Sequence, residues 1–203
     1  MPVAQVRVSR AQDGLARPAS LDFSPRIFQL ARRPAIGQNA PVVTDTGIVA
    51  SLHLHPETAG EAMHTVNEIF AQAGRGIVGD WRVFRRKNQN GEPSRRQVTL
   101  IAREEIARHA AALGLPEIPP GAVRSNIETL GIDLLSFLGR EMQIGEAVLL
   151  LYEARKPCWK MDRVAPGLLA LMSQGRQGVL AQIIRSGRIR SNDAIRPVQR
   201  PKS

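Results

Sequence analysis

Cys158 is the single cysteine of the chain, and it lies in Arg155-Lys156-Pro157-Cys158-Trp159-Lys160, with three cations close to it in sequence. Positive charge beside a thiol favours the thiolate, the form that attacks electrophiles, carries sulfur or binds a soft metal. Pro157 fixes φ and removes a backbone donor, so a strand that runs into it stops there and the next side chain projects from the rim. Free cysteines also serve as packing residues, and residue types alone leave both readings open.

A second set of polar residues lies in Val123-Arg124-Ser125-Asn126-Ile127-Glu128. Read as a strand, this segment points Arg124 and Asn126 to one face, a planar cationic fork beside an amide, suited to a phosphate or a pterin edge. The alternative is an edge strand with a solvated face. Gly74-Arg75-Gly76-Ile77-Val78-Gly79 matches G-x-G-x-x-G formally. A dinucleotide site needs a strand before that motif and a helix after it, whereas here a helical pattern precedes and strand-like residues 80–84 follow. The glycines are better read as a tight turn of positive φ that presents Asp80. His53 and His55 are two apart and share a face of any strand, which permits metal chelation, but no further ligand has convincing spacing. Spacing is all they offer, and surface or core histidines are the plainer reading. No Ser-His-Asp arrangement can be picked out from spacing.

The elements that must position these residues follow from pattern. Residues 1–45 contain six arginines and repeated prolines with no sustained period, and read as a flexible N-terminal extension before a domain at 46–200. Residues 48–54 have strand composition up to Pro56. Thr58 with Glu61 forms a capping box ahead of Met63, Val66, Ile69 and Phe70, which predicts a helix ending near Gly74. Asn90-Gly91 signals a tight turn. Strands are expected at 97–101, 123–128, 147–154 and 179–184, and helices at 104–113, stopped by Gly114, and at 168–172. Strands at irregular spacing with a few short helices predict a mainly β or mixed α+β domain, against a doubly wound parallel sheet.

A chain of 203 residues with 43% hydrophobic residues supports one well-cored domain. No apolar run approaches the roughly 18 residues of a membrane-spanning helix. One cysteine cannot form an internal disulfide, which, with no secretory signal pattern at the start, suits a reducing cytoplasm; an arginine-rich, acid-poor start also resembles an organelle transit peptide. Net charge is +10 and the sequence pI near 11.2, which favours anionic partners without choosing among them. Clusters at Arg82, Arg85, Arg86 and Lys87, at Arg95 and Arg96, and at Arg185, Arg188 and Arg190 are explained by solvated loops as readily as by a polyanion site.

In order along the chain, Gly76-Ile77-Val78-Gly79-Asp80, Arg96-Gln97-Val98-Thr99-Leu100-Ile101, Arg124-Ser125-Asn126-Ile127, Ile144-Gly145, Pro157-Cys158 and Gly178-Val179 resemble the MOSC family, named for the C-terminal domain of molybdenum-cofactor sulfurase. The resemblance spans about Gly47 to Val198. It implies a β-barrel-like fold and a cysteine that coordinates molybdenum of the pterin cofactor or receives sulfur. Relatives in this family reduce N-hydroxylated bases and amidoximes, and sulfurase relatives hand sulfur to the cofactor. Carried over by motif, Cys158 is the catalytic residue and metal ligand, and Arg124, Asn126, Asp80 and Arg96 belong to the cofactor site. Trp81-Arg82 and Ser191-Asn192-Asp193 depart from the family pattern. No pyridoxal-phosphate half fits this length, so the expected partners are an electron-donor protein or a sulfur-donating desulfurase, with a small-molecule substrate. A membrane is not expected, and a basic nucleic-acid module is the remaining alternative.

Overall fold

The structure, a computed structural model, describes residues 45–173 and 175–199. The expected N-terminal extension therefore lies outside the described residues. Eleven strands, two α-helices and two short 3-10 turns are present among those described. Seven strands close a barrel in the order β1 (Gly47–Leu54), β6 (Ile127–Leu130), β5 (Val98–Ala102), β9 (Val179–Arg185), β8 (Ala147–Ala154), β7 (Glu141–Ile144) and β11 (Ala194–Pro197), with β11 returning to pair with β1. Closure leaves the barrel without a free edge. β2 (His64–Val66) extends β1, and β3 (Glu68–Gln72) joins β4 (Gly76–Ile77) and β10 (Gly187–Arg190) in a separate small sheet.

All pairings are antiparallel except β5 with β6. Parallel neighbours need a crossover, and here it runs through α1 (Arg103–Ala112). The helix ends as its sequence predicts, with Gly114 at φ +67. Alternate side chains of the barrel strands fill an interior that includes Leu52, Leu100, Ile127, Leu149 and Ile183. A second cluster packs α1, α2 (Leu168–Met172) and the turn at Trp159–Arg163 through Ile106, Leu168, Met172 and Met161. Met161 is fully buried there and fixes the turn that begins at Cys158. Among the described residues no helix is long and apolar enough to cross a membrane.

Three local expectations are not met, the first because of long-range pairing. The helix predicted after Thr58 is instead β2 and β3. Burial in β3 alternates, with Ile69 and Ala71 inside and Glu68 and Phe70 outside, the period of a strand. The residues that select this conformation are the partners on β10, more than a hundred positions away. Residues 80–84, expected as a strand, form turns, because the Asp80 carboxylate accepts the amides of Arg82 at 2.9 Å and Val83 at 2.8 Å and so folds the chain back on itself. The strand expected at 123–128 begins only at Ile127. Ahead of it Arg124 takes φ +59, so Arg124 and Asn126 do not share a strand face. The turn preceding Asp80 does have its predicted left-handed glycines: Gly76 at φ +111 and Gly79 at φ +83. A Cβ on Gly76 would come within 2.8 Å of the Val83 carbonyl.

Candidate functional site

Two polar clusters meet where β1 and β8 end and β5 and β6 begin. The first is built on Asp80. Its Oδ2 accepts the His55 amide at 2.8 Å, His55 Nδ1 at 2.9 Å and Asn126 Nδ2 at 2.8 Å, while Oδ1 accepts the Arg82 and Val83 amides. Asn126 is saturated as well. Its Oδ1 accepts the Thr99 amide and hydroxyl, and its Nδ2 also donates to the His53 carbonyl at 3.1 Å. Asp80 and Asn126 are almost wholly buried, so both act as struts that tie the glycine turn to β1 and β5.

The histidines expected as possible chelators have internal partners. His53 bonds Ser51 and Thr65 and lies 3.8 Å from the Glu128 carboxylate, which Arg103 also pairs at 3.1 Å; His55 is held by Asp80. Burial pushes the pKa of both histidines down despite their carboxylate neighbours, so they are neutral struts. Among the described residues no group of three or more His, Cys, Asp and Glu is arranged to hold a metal ion.

The second cluster surrounds Cys158, which is exposed at the start of the Trp159–Arg163 turn. Arg155, at the end of β8, is only 6% exposed. Its NH1 donates to Ser125 Oγ at 2.8 Å and points to the Val123 carbonyl at 3.5 Å, which fastens the end of β8 to the turn that carries Arg124. Arg124 itself donates to the Glu61 carbonyl at 2.8 Å. The Nε atoms of Arg96, Arg124 and Arg155 are all buried and without a hydrogen-bond partner among the described residues. None of the three lies within salt-bridge distance of a described carboxylate.

Burial, followed by the Arg96 charge, pulls the Arg155 pKa from its usual range down to about 9, while the Cys158 sulfur acts in the opposite sense. Arg96 is lowered by burial and then by Arg86 and Arg82, against Tyr152 and Cys158; Arg124 is lowered by burial and then by Arg82, against Asp80 and Cys158. The cations therefore crowd one another within electrostatic reach of the thiol. A buried guanidinium that lacks a counter-anion is costly, and an anionic ligand is the group that relieves it. The arrangement can thus bind an anion beside a soft nucleophilic sulfur.

A model of the MOSC domain matches residues 56–196. The chain belongs to the MOSC domain family. No curated protein matches it. Solved structures of similar fold include the YuaD protein of Bacillus subtilis, 21% identical, covering 74% of this chain and 94% of that one with a TM-score of 0.62. YiiM from Geobacillus stearothermophilus is 18% identical and covers 78% of this chain and 75% of that one, with a TM-score of 0.55. YiiM from Escherichia coli, also 18% identical, covers 78% and 71% with a TM-score of 0.53. These likenesses establish the fold.

Of the residues that the MOSC motifs single out, Cys158, Arg124 and Arg96 come together. Asp80 and Asn126 stand behind them, with their polar atoms turned inward. The residue that sequence reasoning missed is Arg155. It was visible only as one of three cations flanking Cys158, and nothing local distinguishes it from Lys156, which is exposed.

Proposed function

We propose that this MOSC protein binds the molybdenum cofactor at Cys158 and reduces N-hydroxylated compounds. The observation that carries the reading is the set of buried, unpartnered guanidinium Nε atoms of Arg96, Arg124 and Arg155 around an exposed thiol. The residues fit the group in two respects. Arginine forks match the geometry of a phosphate, and a sulfur with no cluster of His, Asp or Glu beside it among the described residues suits a soft metal that brings its other ligands with it.

In this reading Arg155, Arg96 and Arg124 would hold the anionic end and Cys158 would ligate the metal. Asp80 and Asn126 keep the Arg124 turn and the glycine turn at fixed separation. When bound, the cofactor supplies the redox couple by which an N–O bond takes up two electrons and two protons to give an amine and water. The exposure of Cys158 leaves room for a substrate to approach from solvent.

Molybdenum content tests the reading. Native protein from a cofactor-making host is expected to carry molybdenum, with Cys158→Ala and Arg155→Met depleted; equal occupancy in the native chain and Cys158→Ala overturns the ligand assignment. Amidoxime reduction driven by a chemical reductant checks the activity separately. The absence of companion ligands also favours a second reading, a carrier that holds sulfur on Cys158 for cofactor or metal-centre maturation. A persulfide on Cys158 in intact-protein mass spectra, without molybdenum, would select it.

A further inference from the structure

Between β3 and β5 the backbone hydrogen bonds gather a set of cations into one place. The Arg85 amide donates to the Arg75 carbonyl at 2.7 Å, which seats Arg85 against the turn that follows β3. The Phe84 amide donates to the Asp80 carbonyl at 3.1 Å and the Arg86 amide to the Val83 carbonyl at 3.3 Å, so residues 80–86 wind in close turns and keep Arg82 near Arg85 and Arg86. Lys87 and Pro93 then form an antiparallel bridge, and the Ser94 amide donates to the Arg86 carbonyl at 2.8 Å, closing a hairpin. Asn88 fixes its tip, its Oδ1 accepting the Asn90 amide at 3.0 Å and the Glu92 amide at 2.9 Å.

Arg75, Arg82, Arg85, Arg86 and Lys87 are all exposed, and none is ion-paired with a described carboxylate. The acids nearby are already engaged: Asp80 is buried and bonded to five donors, and Glu92 accepts the Asn88 side-chain amide at 3.1 Å. Other cations of the surface are neutralised, Arg188 and Arg190 by Glu68, and Arg108 and Arg176 by Glu105.

Two details exceed what a solvated loop requires. Arg85 stands at φ +53, a conformation that glycine takes freely and a side chain only under strain. Trp81 is 65% exposed, yet its backbone is fixed between the buried Asp80 and a bond from its own amide to the His55 carbonyl at 3.3 Å. An indole held in water on a rigid base and ringed by cations is a platform on which a base can stack, with phosphates on either side. Protein interfaces keep charge out of their centres, and the hairpin tip, Asn88-Gln89-Asn90-Gly91, has no apolar side chain to enter a lipid layer. A duplex hides its base faces, so the indole selects a single strand.

We propose that the turns and hairpin of residues 75–94 bind single-stranded nucleic acid, the cations lying along its phosphates and a base stacking on Trp81. The proposal goes beyond the reductase reading and stands without it, because none of these cations is assigned to the cofactor.

The test uses the full chain with fluorescent oligothymidylate and, separately, oligouridylate, which distinguish DNA from RNA. Saturable binding to at least one is expected, weakening about twentyfold to fiftyfold between about 50 and 200 mM salt, as the release of counterions from about three or four phosphates requires. Arg86→Glu/Lys87→Glu is expected to weaken binding about tenfold or more, and Trp81→Ala about tenfold, with Trp81→Phe close to the native chain. Arg140→Glu/Arg196→Glu makes the same change of net charge at exposed positions outside the hairpin and is expected to act by less than about threefold. No binding to either oligonucleotide, equal losses from the two charge-reversed pairs, or indifference to Trp81→Ala overturns the proposal. So does tighter binding of duplex DNA, of polyglutamate as an acidic-protein mimic, or of phosphatidylglycerol vesicles.

Discussion

The Asp80 cluster and the Arg155 cluster are adjacent and each is built on a buried polar side chain, yet their hydrogen-bond inventories differ. Asp80 accepts from five donors and Asn126 uses all four of its amide positions. Arg96, Arg124 and Arg155 each keep a buried Nε without a hydrogen-bond partner among the described residues, and none is ion-paired with a described carboxylate. A buried network that is complete rigidifies the chain, whereas an incomplete one stores affinity for whatever completes it. The difference separates residues that shape the site from residues that bind.

That contrast breaks most visibly at Asp80. Asp80→Ala strands five donors and is expected to cost about 3–5 kcal/mol, read as a lower midpoint in urea unfolding; a loss under about 1 kcal/mol means the strut role is wrong. Acid probes the same pair. Burial sets the His55 pKa below 6.5. For Asp80 burial acts upward, but the His55 side chain and the His55 and Val83 amides outweigh it and the net shift is down from 3.8. Each group takes up its proton more readily in the unfolded chain. Stability is therefore expected to decline as pH falls from 6.5 through the His55 window, and again below 3.8 as Asp80 protonates. His55→Gln should flatten the first decline in pH-dependent denaturation.

The arginine cluster predicts the opposite behaviour. Inorganic phosphate at about 100 times its Kd should stabilise the cofactor-free protein by about 2.7 kcal/mol, seen as a raised Tm, and Arg155→Met should abolish the rise. Without any anion, Arg155→Met is expected to be more stable than the native chain by about 1–2 kcal/mol, since it removes a buried charge without a counter-anion. A marked loss of stability in that variant would place Arg155 with Asp80 as a structural residue. Smallest of all is Cys158→Ser, which should shift stability by less than about 0.5 kcal/mol because the side chain is exposed, while removing molybdenum binding.

Local signals reached far into the fold where the forces are local. Strands β5, β8 and β9, helix α1 with its glycine stop, and the left-handed glycines before Asp80 are legible because propensity, periodicity and φ act over a few residues. The same signals failed at residues 64–72, where Val66, Ile69 and Phe70 satisfy a helical period but pair with other strands instead. They also failed at β7, β10 and β11, which are short segments stabilised by barrel closure and by the second sheet rather than by composition.

From sequence alone came the family motifs in order, a single thiol within a cationic run, and a mainly β domain with short helices. Tertiary structure decided which polar residues face inward as struts and which remain unsatisfied around Cys158. It also separated Arg124 from Asn126 and buried Arg155 while leaving Lys156 in solvent. Burial and hydrogen-bond completion depend on partners distant in sequence, and no local pattern encodes which donors those partners leave unpaired.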